Sequence, residues 1–201
     1  MTNTIMIEAA DAVSIASLVT AAATGADGKT YPGLAQISIW LEAGNLIAAA
    51  TDRYMAATYN TKATGEDTEF RLTPAAAKFL IANVKRINKH YDVPAVSFTI
   101  DREARLVTIT HGGATYSDTY LEGNTPNLRG LVEAWNPATE ISTVSLKSEF
   151  LARLNKFLDA FVRVEAWELE LGLNKLNPSK PGPVMATAGN FSVLIQPRMM
   201  H

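Results

Sequence analysis

Residues 50–57 read ATDRYMAA and stand at the centre of a strand, turn and strand pattern. Residues 36–41 alternate between apolar and polar, 42–45 have turn composition, and 46–50 form a second apolar run. This alternation is typical of half-buried strands joined as a hairpin. Thr-Asp pairs are also ordinary turn residues, because both side chains bond to nearby backbone groups. The stretch therefore predicts two antiparallel strands and a tight turn into a third.

The chain outward from this turn repeats one pattern three times, namely a short strand, an amphipathic helix and two or three more strands. Helices are expected at about residues 10–23, 74–90 and 147–163, and a loop rich in Gly, Asp and Pro at 24–33. A repeated unit on the order of 60 residues predicts an α+β fold with helices on one face of largely antiparallel sheets. A single α+β domain without a repeat remains the alternative.

Composition limits the functions that the chain can have. Its 201 residues are 47% hydrophobic and 19% charged, which is typical of one large or two small folded domains. The chain has no cysteine, so disulfides, thiolate catalysis and Cys-bound zinc are excluded. The net charge of −2 argues against coating nucleic acid by bulk positive charge, but it allows a basic inner surface. With no secretion signal at residues 1–10 and no apolar run long enough for a bilayer, we expect a cytoplasmic protein without membrane partners.

Two further stretches resemble the same protein family as the opening turn does. Residues 122–131 read EGNTPNLRGL, and residues 194–201 read LIQPRMMH. Together with ATDRYMAA, and in this order, they are similar to the bacterial replicative sliding clamp, the beta subunit of DNA polymerase III. The resemblance implies a DNA-clamp-like fold. It also implies a processivity factor that encircles duplex DNA and holds a polymerase.

In that family the three matching stretches line an apolar pocket that receives peptides of DNA polymerases and of the clamp loader. Carried over position by position, the resemblance implies a pocket lined by Thr51, Arg53, Tyr54, Met55, Pro126, Leu131, Leu194, Gln196 and Pro197. Apolar and flexible side chains with a polar rim suit a groove that accepts several related peptides. Two positions depart from the family: Arg53 stands where glycine is usual, and Gln196 where an apolar residue is common.

The helices of clamps line the hole and face DNA, so the resemblance implies a basic inner surface. The candidate DNA-facing residues are Lys78, Lys85, Lys89, Arg153, Lys156 and Arg163. Their contacts would be to phosphate, and binding would be non-specific and sensitive to salt. Lysines on the solvent side of a helix also serve solubility alone, and the first helix carries no basic residue.

The resemblance covers residues 1–135 as one complete domain of two units, 4–64 and 66–135, and residues 140–201 as half of a second domain. Clamp rings close with twelve such units, so four chains with three units each would complete one. We therefore expect a homo-oligomer and offer a tetrameric ring with dihedral symmetry as a hypothesis.

No catalytic arrangement is visible in the sequence, so we predict no enzyme activity, no metal and no cofactor. His90, His111 and His201 lack partners at metal-ligand spacing, and Glu168 and Glu170 alternate with apolar residues as the wet face of a strand. Two classes remain open. One is a clamp that encircles DNA, and the other is a clamp-fold adaptor that binds peptides of replication or transcription proteins without forming a ring.

Overall fold

The structure is a computed structural model of the chain. It describes residues 2–23, 25–88, 93–122, 127–128, 130, 146, 148–158, 167–173 and 181–197. Within them, the first repeat contains β1 (Thr2–Glu8), α1 (Ala9–Ser17), α2 (Gly25–Thr30), β2 (Ile37–Glu42), β3 (Asn45–Thr51) and β4 (Met55–Lys62). The second contains β5 (Thr68–Leu72), α3 (Pro74–Asn88), β6 (Ala95–Asp101), β7 (Leu106–His111) and β8 (Ala114–Thr119). The third contains α4 (Ser148–Leu158), β9 (Glu168–Leu173), β10 (Pro181–Ala188) and β11 (Phe191–Ile195).

One element differs from its prediction. The Gly, Asp and Pro content of residues 24–33 predicts a loop, but α2 and a short 3-10 turn, Pro32–Ala35, occupy most of this stretch. Gly and Asp tolerate the first turn of a helix, and Pro32 lies at the start of its own turn, so the same residues that break long helices start short ones here. This stretch matters below because Asp27 of α2 and Tyr31, which follows α2, both contribute side chains to the candidate site.

The strands form two antiparallel sheets, in the orders β1-β6-β7-β8 and β5-β2-β3-β4-β11-β10-β9. The first strands of the first two repeats are exchanged: β1 pairs with β6 of the second repeat, and β5 pairs with β2 of the first. The third repeat extends the larger sheet through the pairing of β11 with β4. An α+β fold built from antiparallel sheets is thereby confirmed. The predicted domain limits at residues 135 and 140 lie outside the described residues and stay predictions.

The helices pack on the sheets around one continuous apolar core. Helix α1 contacts both α3 and α4, and alternate strand residues point toward this helical layer. The third repeat shares the core of the first, because the ring of Phe157 on α4 lies 5.8 Å from Phe191, and Phe191 lies 4.6 Å from Tyr59. Burying each large apolar side chain contributes about 1.5–3 kcal/mol, so this shared cluster ties the two repeats together.

In the part of the chain that the structure describes, no helix has the length and apolar composition needed to span a membrane.

Candidate functional site

The turn between β3 and β4 is closed by the side chains of Thr51 and Asp52. Asp52 Oδ1 accepts the backbone N–H groups of Tyr54 at 3.0 Å and Met55 at 2.8 Å. Thr51 Oγ1 accepts the N–H of Arg53 at 3.0 Å and donates to the carbonyl of Met55 at 2.8 Å. The Thr-Asp pair therefore fixes the backbone path of the whole turn, as side chains of this kind do at tight turns.

Arg53 occupies a backbone conformation that favours glycine. Its φ is 81°, in the left-handed region, which costs a residue with a Cβ about 1 kcal/mol. Glycine, which has no Cβ, would adopt this φ without that cost. The arginine side chain is held by neighbours, since Nη2 lies 2.9 Å from Asp27 Oδ1 on α2.

Two exposed tyrosines flank the guanidinium group of Arg53. Its central carbon lies 5.1 Å from the ring centre of Tyr31 and 5.9 Å from that of Tyr54. The tyrosine side chains are 47% and 57% exposed. Both distances are within the range of cation–π attraction. Asp27 and Tyr31 come from the stretch predicted as a loop, so the sequence analysis did not include them in the site.

The second oxygen of Asp52 connects the turn to the third repeat. Arg153 on α4 donates from Nη1 to Asp52 Oδ2 at 2.7 Å and from Nε to the carbonyl of Thr20 at 2.9 Å. The Arg153 and Asp52 side chains are 20% and 19% exposed, so water screens the pair only in part. Arg153 was predicted to face DNA, whereas the structure engages its guanidinium with the turn.

Strand alternation divides the predicted pocket residues between the two faces of the larger sheet. Met55 is 1% exposed and belongs to the main core on the helical side. Its neighbour Ala56 points to the opposite face, directly across from Leu194 of β11. Here a small second cluster forms from Ala49, Ala56 and Leu128, with Trp40 and the partly buried Leu194 packed against it.

The segment after β8 crosses the outer face of the larger sheet. The Gln36 side chain donates to the carbonyl of Leu121 at 3.0 Å and accepts its N–H at 3.0 Å, and Arg71 Nη1 donates to the same carbonyl at 2.8 Å. Further along this segment, Leu128 is 2% exposed within the small cluster. The second predicted stretch therefore reaches the same face as Leu194.

The chain after β11 runs beside the turn. The N–H of Gln196 donates to the carbonyl of Tyr54 at 2.9 Å, Gln196 itself is exposed, and Pro197 is buried. The structure thus brings Thr51, Arg53 and Tyr54 together with the chain that follows Leu194. Pro126 and Leu131 lie outside the described residues. Sequence reasoning missed Ala56 and Leu128, although alternation from the apolar Met55 would have identified Ala56.

The predicted DNA-facing residues are only partly described. Lys78 and Lys85 are exposed on α3, and Lys156 is exposed on α4. Lys89 and Arg163 lie outside the described residues. Their role in binding DNA stays a prediction.

A depression of about 990 Å³ lies at the other end of the larger sheet, away from the β3–β4 turn, and includes Asp11, Trp40 and Asn60 in its lining. Asp11 accepts hydrogen bonds from the hydroxyl of Tyr59 at 2.7 Å and from that of Thr61. Burial, and secondarily the bond to Asp11, raises the pKa of Tyr59 to about 12. Among the described residues no group of three or more His, Asp or Glu side chains could hold a metal ion.

Comparison with known proteins identifies the fold. No family model and no curated protein matches the sequence. Solved structures do match: the DNA polymerase sliding clamp from Bacillus subtilis aligns with a TM-score of 0.66 and 14% identity over 100% of this chain and 66% of its own length. The DNA polymerase III beta subunit from Thermotoga maritima aligns at 0.65, with 12% identity over 99% of this chain and 65% of its own. The sliding clamp from Caulobacter crescentus aligns at 0.63, with 12% identity over 98% and 66%.

The described part of the chain has the sliding-clamp fold, which confirms the fold expected from the three motifs. It spans about two thirds of the length of each of these clamps.

Proposed function

We propose that the protein is a DNA sliding clamp, a processivity factor that encircles duplex DNA and binds partner peptides in an apolar pocket. It would be non-enzymatic and act in the cytoplasm. The observation that carries the proposal is the meeting of three distant segments at one end of the larger sheet: the turn at residues 51–55, the segment containing Leu128, and the chain at residues 194–197. Clamp-fold neighbours support the same reading.

The geometry of this region suits an apolar side chain of a partner peptide. Ala49, Ala56 and Leu128 are buried together in an apolar cluster, and the partly exposed Trp40 and Leu194 pack against it. The half-exposed surface of Leu194 is available to a ligand, and the exposed Tyr54 and Gln196 supply a polar rim. Burying one Leu or Phe of a partner here would contribute about 1.5–3 kcal/mol to binding. DNA polymerase and clamp-loader peptides are the partners that this proposal implies.

The helical layer would face DNA. Lys78, Lys85 and Lys156 are exposed on α3 and α4, and both helices contact α1. Phosphate contacts by lysine are indifferent to base sequence, and their strength falls steeply as the salt concentration rises. A ring that holds DNA by enclosure needs only such weak contacts.

Ring assembly would use open sheet edges. In the described part of the chain, β8 and β9 each have a neighbouring strand on one side only. Unpaired backbone groups at a strand edge are a template for pairing with another chain. Four copies would supply the twelve units of a clamp ring, and we propose this tetramer as the DNA-binding form.

The experiment that tests the proposal measures retention on DNA. Purified protein, loaded on nicked circular DNA, should stay bound during gel filtration and be released when a restriction enzyme linearises the circle. Multi-angle light scattering on the same sample should give four times the mass of the chain. Equal loss from circular and linear DNA, or a monodisperse monomer or dimer, would exclude the encircling ring.

A second candidate is a clamp-fold adaptor that binds peptides but forms no ring. The observation in its favour is that α1 has no basic residue and that Arg153 is engaged by Asp52, which leaves few basic groups on the helical layer. Peptide binding by a protein that shows no topological retention on DNA would support this candidate.

A further inference from the structure

The cluster formed by Arg53, Asp27, Tyr31 and Tyr54 places a fixed cation beside the proposed peptide pocket. The Arg53 side chain is 42% exposed and the Asp27 side chain 52%. The Tyr54 carbonyl accepts the N–H of Gln196, so the cluster and the chain beyond Leu194 are directly connected. The arginine therefore lies one residue away from the contact between the turn and the chain at residues 194–197.

The turn keeps Arg53 in a conformation that glycine would occupy without strain. Strain of this kind persists where the surrounding structure imposes it, and it is concentrated at functional sites. The ion pair with Asp27 uses only Nη2 of the guanidinium. A guanidinium presents five N–H donors in a planar fork, so an incoming carboxylate can bind beside Asp27 or replace it.

We propose that Arg53 determines specificity at this site by binding an acidic side chain of the partner peptide, next to the apolar residue that enters the pocket. This inference rests on the proposed peptide-binding function. Tyr31 and Tyr54 lie within cation–π distance of the guanidinium, and this attraction reduces the entropy that the arginine loses when it meets the ligand. The partner is therefore a short peptide that combines a large apolar anchor with a neighbouring Asp or Glu.

The test is selection from a library of random short peptides displayed on phage. The targets are the wild-type protein, Arg53→Gly, Arg53→Glu and the control Arg105→Gly. Arg105 matches Arg53 closely: its φ is 52°, it is exposed, and it pairs with Glu122 at 2.9 Å, but it lies between β6 and β7 of the other sheet. Thermal unfolding of each variant shows that it is folded before selection.

Peptides selected by the wild type and by Arg105→Gly should carry an acidic residue beside an apolar anchor. Arg53→Gly should keep the anchor and lose the acidic preference, and Arg53→Glu should select a basic residue instead. In fluorescence anisotropy, changing the acidic residue of a selected peptide to its amide should weaken wild-type binding about fivefold. The same change should leave the affinity of Arg53→Gly within about twofold.

Asp27→Asn adds a second measurement. It removes the competing carboxylate, so the acidic peptide should bind about twofold to threefold more tightly, whereas a purely structural Asp27–Arg53 pair predicts weaker binding. An apolar consensus without acidic preference, or an acidic preference that survives Arg53→Gly, overturns the role of Arg53 and leaves the pocket intact. A wild-type protein that selects no peptides overturns both the pocket and this inference.

Discussion

The bond between Arg153 and Asp52 should stabilise the turn, and its removal provides the sharpest test of the site geometry. Arg153→Ala removes two charge-assisted hydrogen bonds, one to Asp52 Oδ2 and one to the carbonyl of Thr20. Such bonds contribute about 1.5–3 kcal/mol each when buried, and both side chains here are about one fifth exposed. Allowing for solvent screening, we expect the free energy of unfolding to fall by about 2 kcal/mol.

For a chain of this size, that loss corresponds to a melting temperature lower by about 4–8 °C. Urea unfolding at fixed protein concentration measures the free energy directly. Lys156→Ala is the matched control, because Lys156 is exposed on the same helix and its loss should change stability by less than about 0.5 kcal/mol. Arg153→Lys keeps the charge but cannot form both bonds, so it should recover less than half of the loss.

A double-mutant cycle isolates the pair. Asp52→Asn keeps an oxygen that can accept the N–H groups of Tyr54 and Met55 but lacks the charge that faces Arg153. The coupling free energy between the two substitutions should be about 1 kcal/mol. A coupling near zero, or an Arg153→Ala variant as stable as Lys156→Ala, would show that the Arg153–Asp52 bond does not stabilise the turn. Direct binding of short linear DNA at low salt separates the two interpretations of Arg153: Lys156→Ala should weaken this binding, and Arg153→Ala should not.

Three other outcomes follow from the structure. Between pH 10 and pH 12 the unfolded state releases the Tyr59 proton while the folded state retains it, so the free energy of unfolding should fall by about 2 kcal/mol across this window. In unfolding curves measured at alkaline pH, Tyr59→Phe should remove that part of the fall. Phe157→Ala should cost about 3–5 kcal/mol in urea unfolding, since its ring is fully buried between the first and third repeats. Leu194→Ala should weaken the binding of selected peptides about tenfold, as measured by fluorescence anisotropy. Leu169 is exposed on the edge strand β9, so Leu169→Ala should leave the peptide affinity unchanged. The first expectation is contradicted if Tyr59→Phe leaves the alkaline fall in stability unchanged, and the second if Phe157→Ala lowers the free energy of unfolding only slightly. The third is contradicted if the two leucine variants change peptide affinity equally.

Much of the fold could be predicted because its signals are local. The alternation of Ile37, Ile39 and Leu41, and the Thr73-Pro74 helix start, gave β2 and α3 within a residue or two of their observed bounds. The exchange of β1 and β5 could not be predicted, since a strand pattern specifies which face is apolar but not which neighbour it joins.

The motifs predicted the parts of the candidate site that lie within them. They could not predict the residues whose place depends on tertiary contacts. Thr51, Tyr54 and the chain at residues 194–197 meet as the motifs imply. Met55 belongs to the main core, because alternate residues of a strand face opposite sides of the sheet and Met55 is on the side of the helices. Arg153 has the spacing of a solvent-facing cation on its helix, but the turn places a carboxylate within its reach, and no sequence pattern links residues 52 and 153.

The exchanged first strand has a consequence for biosynthesis. Thr2 pairs with Asp101 and Glu8 with Ala95, so β1 leaves the ribosome roughly 90 residues before its partner exists, a delay of about 5–20 s at typical rates of translation. During that time Ile5 and Ile7, both buried in the final structure, have no sheet to join. The first repeat alone therefore cannot form its native pairing, and until β6 is made β1 is an unpaired strand of the kind that favours aggregation.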